Sequence, residues 1–96
     1  MAVIETLTFK LADGLEVNKF LEADRRVQWE AAAKCAGLLR RTTARGDNGE
    51  WIVVTLWRST ADAEAATAAA DHPGHDAFFA LVDSSSVRTS RYRTLD

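Results

Sequence analysis

An α+β fold in the order β-α-β-β-α-β, with a four-stranded antiparallel sheet carrying both helices on one face, is predicted from three features of the chain. Glu50 to Arg58 (EWIVVTLWR) is apolar on both alternating faces, which a strand tolerates only when protein covers each side. Gly46-Asp47-Asn48-Gly49 separates that run from Leu38 to Arg45, and Asn-Gly between two strand-like runs specifies a hairpin whose turn positions take positive φ. Helical stretches alternate with these strands rather than collecting at one end. With 96 residues, 47% hydrophobic and 27% charged, one domain is expected over residues 1–96, with a thin core.

The first strand is expected over Val3 to Leu11, with Val3, Glu5, Leu7, Phe9 and Leu11 on one face and Ile4, Thr6, Thr8 and Lys10 on the other. Asp13-Gly14 then turns the chain. Leu15 to Cys35 has helical spacing and ends at Gly37, the residue type expected just past a helix end. At 100° per residue, Val17, Phe20, Leu21, Val27, Ala31 and Cys35 share one stripe, and two polar residues, Asp24 and Gln28, fall inside it. Ser59-Thr60-Ala61-Asp62 has the spacing of a capping box, so a second helix starts there. His72-Pro73-Gly74 stops it, because proline lacks a backbone donor and disfavours helical geometry in the residue before it. His75 to Phe79 restarts as a short helix, Ser84-Ser85-Ser86 is a polar connector, and Val87 to Leu95 returns to strand.

The order satisfies the split βαβ, or ferredoxin-like, arrangement and leaves one sheet face bare. Ile52, Val54 and Leu56 alternate with Trp51, Val53, Thr55 and Trp57, so whichever set avoids the helices exposes an apolar patch. A second copy of the sheet is expected to cover it, giving a homodimer built as a closed, barrel-like pair. The net charge of −2, without a long run of one sign, points to neither nucleic acid nor an acidic membrane surface. No apolar segment approaches the roughly 20 residues of a membrane span. Cys35 alone makes no internal disulfide and Met1 to Lys10 lacks a signal-peptide plan, so the expected compartment is the cytoplasm.

Four features together resemble the dimeric α/β-barrel superfamily, in particular the antibiotic-biosynthesis-monooxygenase-like proteins, over essentially the whole length. They are the strand end Leu56-Trp57-Arg58-Ser59, the helix residues Ala63-Glu64-Ala65, the segment His75-Asp76-Ala77-Phe78 and the strand entry Gly37-Leu38-Leu39. The resemblance implies a ligand held between helices and sheet, and it spans cofactor-free monooxygenases of polycyclic phenols, haem-degrading enzymes and small-molecule isomerases. Trp57 matches a tryptophan of the quinone-forming monooxygenases, whereas Val53 and Ala63 stand where those enzymes would carry an asparagine and a tyrosine. The haem-degrading branch would need a tryptophan where Ala65 and Ala66 stand and an asparagine near Thr6, so haem degradation is not expected, with His75 as the sole candidate axial ligand.

Candidate site residues follow from this reading. Asp24 or His75 would take a proton from a phenol or acidic C–H, Gln28 or Thr55 would orient an oxygen, and Trp57 would wall the pocket, with no cofactor and no metal. Each has a plain counterpart: Trp57 as a packing residue, His75 as a surface histidine, Asp24 and Gln28 as marginal members of their stripe, Cys35 as a small buried side chain. Glu5 invites a salt bridge to Arg91 or Arg93. The His72-x-x-His75 pair with Asp71 and Asp76 has metal-like spacing, but Pro73 and Gly74 interrupt the helix that would make it converge. An RNA-recognition domain shares the element order, yet Glu50 to Trp57 lacks its basic, glycine and alternating-aromatic signature. The function expected is binding of a small, largely apolar or aromatic molecule, with cofactor-independent oxygenation as its chemistry. A non-catalytic ligand-binding or assembly protein of the same fold is the alternative.

Overall fold

Strands β1 (Val3–Phe9), β2 (Leu38–Arg45), β3 (Trp51–Trp57) and β4 (Arg88–Arg93) pair antiparallel throughout, in the order β2-β3-β1-β4. These elements come from a computed structural model that describes residues 1–68 and 73–96. Helix α1 (Val17–Lys34) follows β1, and helices α2 (Thr60–Ala68) and α3 (Pro73–Ala80) fill the second crossover. The β-α-β-β-α-β order and the ferredoxin-like sheet are those expected. The helix break expected at His72 lies outside the described residues, as do Asp71 and the first member of the His72–His75 pair.

Register shows which sheet face meets the helices. Val3, Leu7 and Phe9 stand opposite Trp57, Val53 and Trp51, and these side chains pack with Phe20 of α1, Ala63 of α2 and Phe78 of α3. Ile4, Ile52, Val54 and Leu56 therefore point to the open face. The core is in two parts. Phe9, Phe20, Trp51 and Phe78 form an aromatic cluster with ring centroids 4.9 to 5.5 Å apart, tilted or edge-on as aromatic pairs prefer. Val3, Trp57 and Ala63 form a smaller cluster at the other end of the sheet.

Several local expectations change in detail. β1 ends at Phe9 because the Lys10 N–H donates to Ser86 Oγ instead of continuing the ladder, and only an isolated bridge joins Leu11 to Val82. The hairpin turn is not a pair of positive-φ residues: Gly49 alone lies there, at φ 81°, while Asn48 Oδ1 accepts the Glu50 N–H and Gly46 N–H donates to the Glu50 carbonyl. This is the longer, bulged hairpin, in which one glycine takes up the left-handed residue. Gly37 is also not a left-handed helix cap, since positive φ is confined to Gly14 and Gly49 among the described residues. Its role is close approach: a Cβ there would run into the side chain of Asp62.

Ser59 caps α2 as expected, its Oγ accepting the Asp62 N–H at 3.2 Å. The acid differs from a standard capping box, because Asp62 Oδ2 accepts from the Ser59 hydroxyl at 2.9 Å and from Arg58 Nε at 3.1 Å. The Ser59 hydroxyl bond, and then Arg58, hold the Asp62 carboxyl below its usual range. No helix among the described residues is long and apolar enough to cross a membrane.

Candidate functional site

Between the two core clusters the helix-facing side of the sheet turns polar. Thr55 stands opposite Arg41 on one side and Glu5 on the other, and Glu5 stands opposite Arg91, so one row across all four strands reads Arg41–Thr55–Glu5–Arg91. Packing cannot close over such a row as it does over Phe9 and Trp51. A cavity of about 270 Å³ lies there, lined by Glu5, Leu7, Arg41, Val53, Thr55 and Thr89 from the sheet, Val27 from α1, Thr67 from α2, and His75, Phe78 and Phe79 from α3. A smaller one of about 150 Å³ adjoins it toward Trp57, Cys35, Leu38 and Ala66, sharing Val27, Arg41, Thr55 and His75. The larger volume falls just below the roughly 300 to 1,000 Å³ usual for ligand pockets.

The ends of the polar row are held in place. Glu5 Oε2 accepts from Arg91 Nη2 at 2.9 Å and Nε at 3.0 Å, the salt bridge expected, while Glu5 Oε1 accepts from Trp57 Nε1 at 2.8 Å. Arg41 Nη2 lies 2.8 Å from Asp24 Oδ1, with the two side chains 7% and 13% exposed. Thr43 Oγ1 donates to the same Asp24 oxygen at 3.0 Å, and Arg41 Nη1 donates to Gln28 Oε1 at 3.3 Å. Arg41 also lies 5.9 Å from the Phe78 ring centroid, within cation–π range.

Asp24 and Gln28 thus do not line either cavity. Asp24 is the ionic partner of Arg41, and Gln28 is exposed at the edge of the helix stripe rather than within it. Leu21, expected in the same stripe, is likewise 36% exposed. Thr55 and His75 line both cavities; Trp57 is 6% exposed and walls only the smaller one. The His75 ring stacks 4.6 Å from Phe79, and its Nδ1 is 3.8 Å from Asp76 Oδ1. Cys35 lines the smaller cavity, and partial burial raises its thiol pKa while Lys34 pulls the other way. The residue that sequence reasoning missed is Arg41; the polar pair Asp24 and Gln28 on an apolar stripe was the trace of it. Among the described residues no group of three or more His, Cys, Asp or Glu side chains is assembled as metal ligands.

No protein-family model matches the chain, and no curated protein aligns with it significantly. Solved structures do match. SnoaB from Streptomyces nogalater, a cofactor-independent oxygenase, is 16% identical and superposes with a TM-score of 0.76 over 99% of this chain and 94% of its own. A Caulobacter crescentus CB15 protein, provisionally named an antibiotic biosynthesis monooxygenase, gives 0.78 at 12% identity, covering 99% and 91%. A dimeric protein of ferredoxin-like fold and unknown function from Bacteroides fragilis NCTC 9343 gives 0.67 at 16% identity, covering 97% and 96%. The fold is that of the antibiotic-biosynthesis-monooxygenase-like proteins. At these identities the likeness is one of fold, and the chemistry has to be argued from the cavity.

Proposed function

We propose that this protein binds a small, flat, largely apolar or aromatic molecule between sheet and helices and acts on it as a cofactor-independent monooxygenase. The observation that carries the proposal is the cavity itself: aromatic and aliphatic walls from Phe78, Phe79, Val27 and Val53 over a floor bearing Arg41, Thr55 and Glu5, with His75 at the junction of both cavities. That combination of apolar walls and few convergent polar groups is the usual form of a small-molecule site.

In this reading His75 takes the proton, since Asp24 is committed to Arg41 and sits outside the cavity lining. Proton removal from a phenol or acidic methylene leaves an electron-rich anion, which reduces dioxygen directly. One oxygen atom stays on the ring carbon as a carbonyl, the other leaves as water, and the substrate supplies the electrons. Thr55 orients the substrate oxygen and Trp57, fixed by Glu5, walls the far end.

A non-catalytic binding or assembly role is the second reading, favoured by the buried, apolar Val53 and Ala63. Oxygen uptake separates the two: a panel of polycyclic phenols should be bound and oxidised under air, with uptake lost in His75→Phe. Binding without oxygen uptake would favour the second reading, and no binding of any member would remove the oxygenase and the ligand-binding roles and leave assembly alone. The proposal also takes the protein to be a homodimer through the open sheet face, working in the cytoplasm, the latter supported by a sole cysteine unable to form an internal disulfide.

A further inference from the structure

Arg41 and Glu5 flank Thr55 from the two neighbouring strands, so two strand spacings, roughly 10 Å, separate their backbones across the cavity floor. Both side chains are fixed before any ligand arrives, Arg41 by Asp24 and Glu5 by Arg91 and Trp57. A guanidinium carries five N–H donors, and the bonds to Asp24, Gln28 and Thr43 engage only its Nη atoms among the described residues. Each oxygen of a carboxylate has two acceptor sites; Oε2 already takes both Arg91 bonds, so Glu5 can take one further donor at Oε1, beside the Trp57 N–H. The floor is therefore bipolar, with donors at one end, an acceptor at the other and apolar walls above.

We infer that Arg41 and Glu5 determine specificity by reading opposite edges of the ligand: a planar molecule of two or three fused rings with an anionic oxygen group, best a carboxylate, at the Arg41 end and a hydroxyl at the Glu5 end. The fork of the guanidinium matches a carboxylate better than a single oxygen. Prior anchoring of both groups means that little side-chain freedom is lost on binding. The inference rests on the proposed aromatic-binding reading, and it adds an acid group that the apolar walls alone do not select.

Calorimetric titration with 2-methoxynaphthalene, 2-naphthol, 2-naphthoate and 6-hydroxy-2-naphthoate tests it. The hydroxynaphthoate should bind about tenfold tighter than the naphthoate, the step being one charge-assisted hydrogen bond, and the naphthoate at least about tenfold tighter than the methoxy compound, the step being the guanidinium–carboxylate contact. Arg41→Met combined with Asp24→Leu, which strands no charge, should bring 2-naphthoate down to the level of 2-methoxynaphthalene. Glu5→Gln should remove the hydroxyl increment alone. Arg41→Lys, which keeps the charge but loses the fork, should give an intermediate loss even if the double variant does not fold. If the wild type binds the four compounds equally, the bipolar inference fails while the aromatic pocket stands. If it binds none, including the methoxy compound, the pocket reading fails as well.

Discussion

Asp24 and Arg41 form the least exposed ion pair among the described residues, and their energetics separate a structural role from a pocket role. Removing one member of a nearly buried ion pair leaves an uncompensated charge, so Asp24→Leu should destabilise the fold by about 3 to 5 kcal/mol. Gln28, exposed and joined to Arg41 by a long 3.3 Å bond, should change stability by less than about 0.5 kcal/mol when made leucine. Adding Arg41→Met to Asp24→Leu should recover most of the loss, which chemical denaturation of the three variants would show. A neutral Asp24→Leu would mean that the pair is not formed in solution. The oddity of Asp24 on an apolar stripe was legible in the sequence, but its partner was not. Arg40 and Arg41 are adjacent in one strand, and alternation from the inward Leu38 would send Arg40 inward. The irregularity between Leu38 and Arg40 shifts the register by one, so that Arg41 opposes Thr55 on the helix side.

At the scale of elements, the junction of β2, β3 and α2 is held by one polar knot, in which Gly37 lets Asp62 come close enough to serve Ser59 and Arg58 together. The Arg58 N–H also donates to the Gly37 carbonyl at 2.8 Å, so the strand ends and the cap are coupled. Because the folded state lowers the Asp62 pKa, its contribution is present above the unfolded value, about 3.9, and is lost as pH falls through the folded value. Asp62→Asn should therefore lower the melting temperature at pH 7 and cease to differ from wild type near pH 2. Gly37→Ala should cost at least as much at pH 7, because the added methyl displaces the same carboxylate. A deficit in Asp62→Asn that persists unchanged into acid would show that charge is not what the cap uses. The cap and the hairpin were readable because each depends on residue types at fixed local spacing. The conformations of Gly37 and Asn48 were not, since they depend on what the folded chain brings beside them.

For the whole molecule, the face that the helices leave uncovered decides the assembly. Ile4 stands opposite Leu56 and Tyr92, and Val54 and Ile52 continue the apolar row along β3, ringed by Thr6, Thr8, Thr42 and Ser90. Strands of six to eight residues in a sheet four strands wide cover roughly 400 Å² in plan at about 3.3 Å per residue and 4.8 Å per strand. The apolar row of Ile4, Ile52, Val54, Leu56 and Tyr92 takes up part of that area, and a contiguous apolar patch rimmed by polar residues is the form an interaction site takes. A second sheet laid on it at the usual spacing of about 10 Å would bury Leu56 and Val54 on a two-fold axis, each meeting its own copy or a near neighbour. Leu56→Asp and Val54→Asp should then turn a dimer into a monomer in sedimentation velocity at micromolar concentration. They should do so without losing the far-ultraviolet signal of the fold, because the helix-facing clusters around Phe20 and Trp57 are untouched. If the wild type already sediments as a monomer, the open face is not a sheet-to-sheet interface. If the variants lose the fold together with the dimer, the protomer depends on its partner for stability, as a thin core in a chain of this length allows.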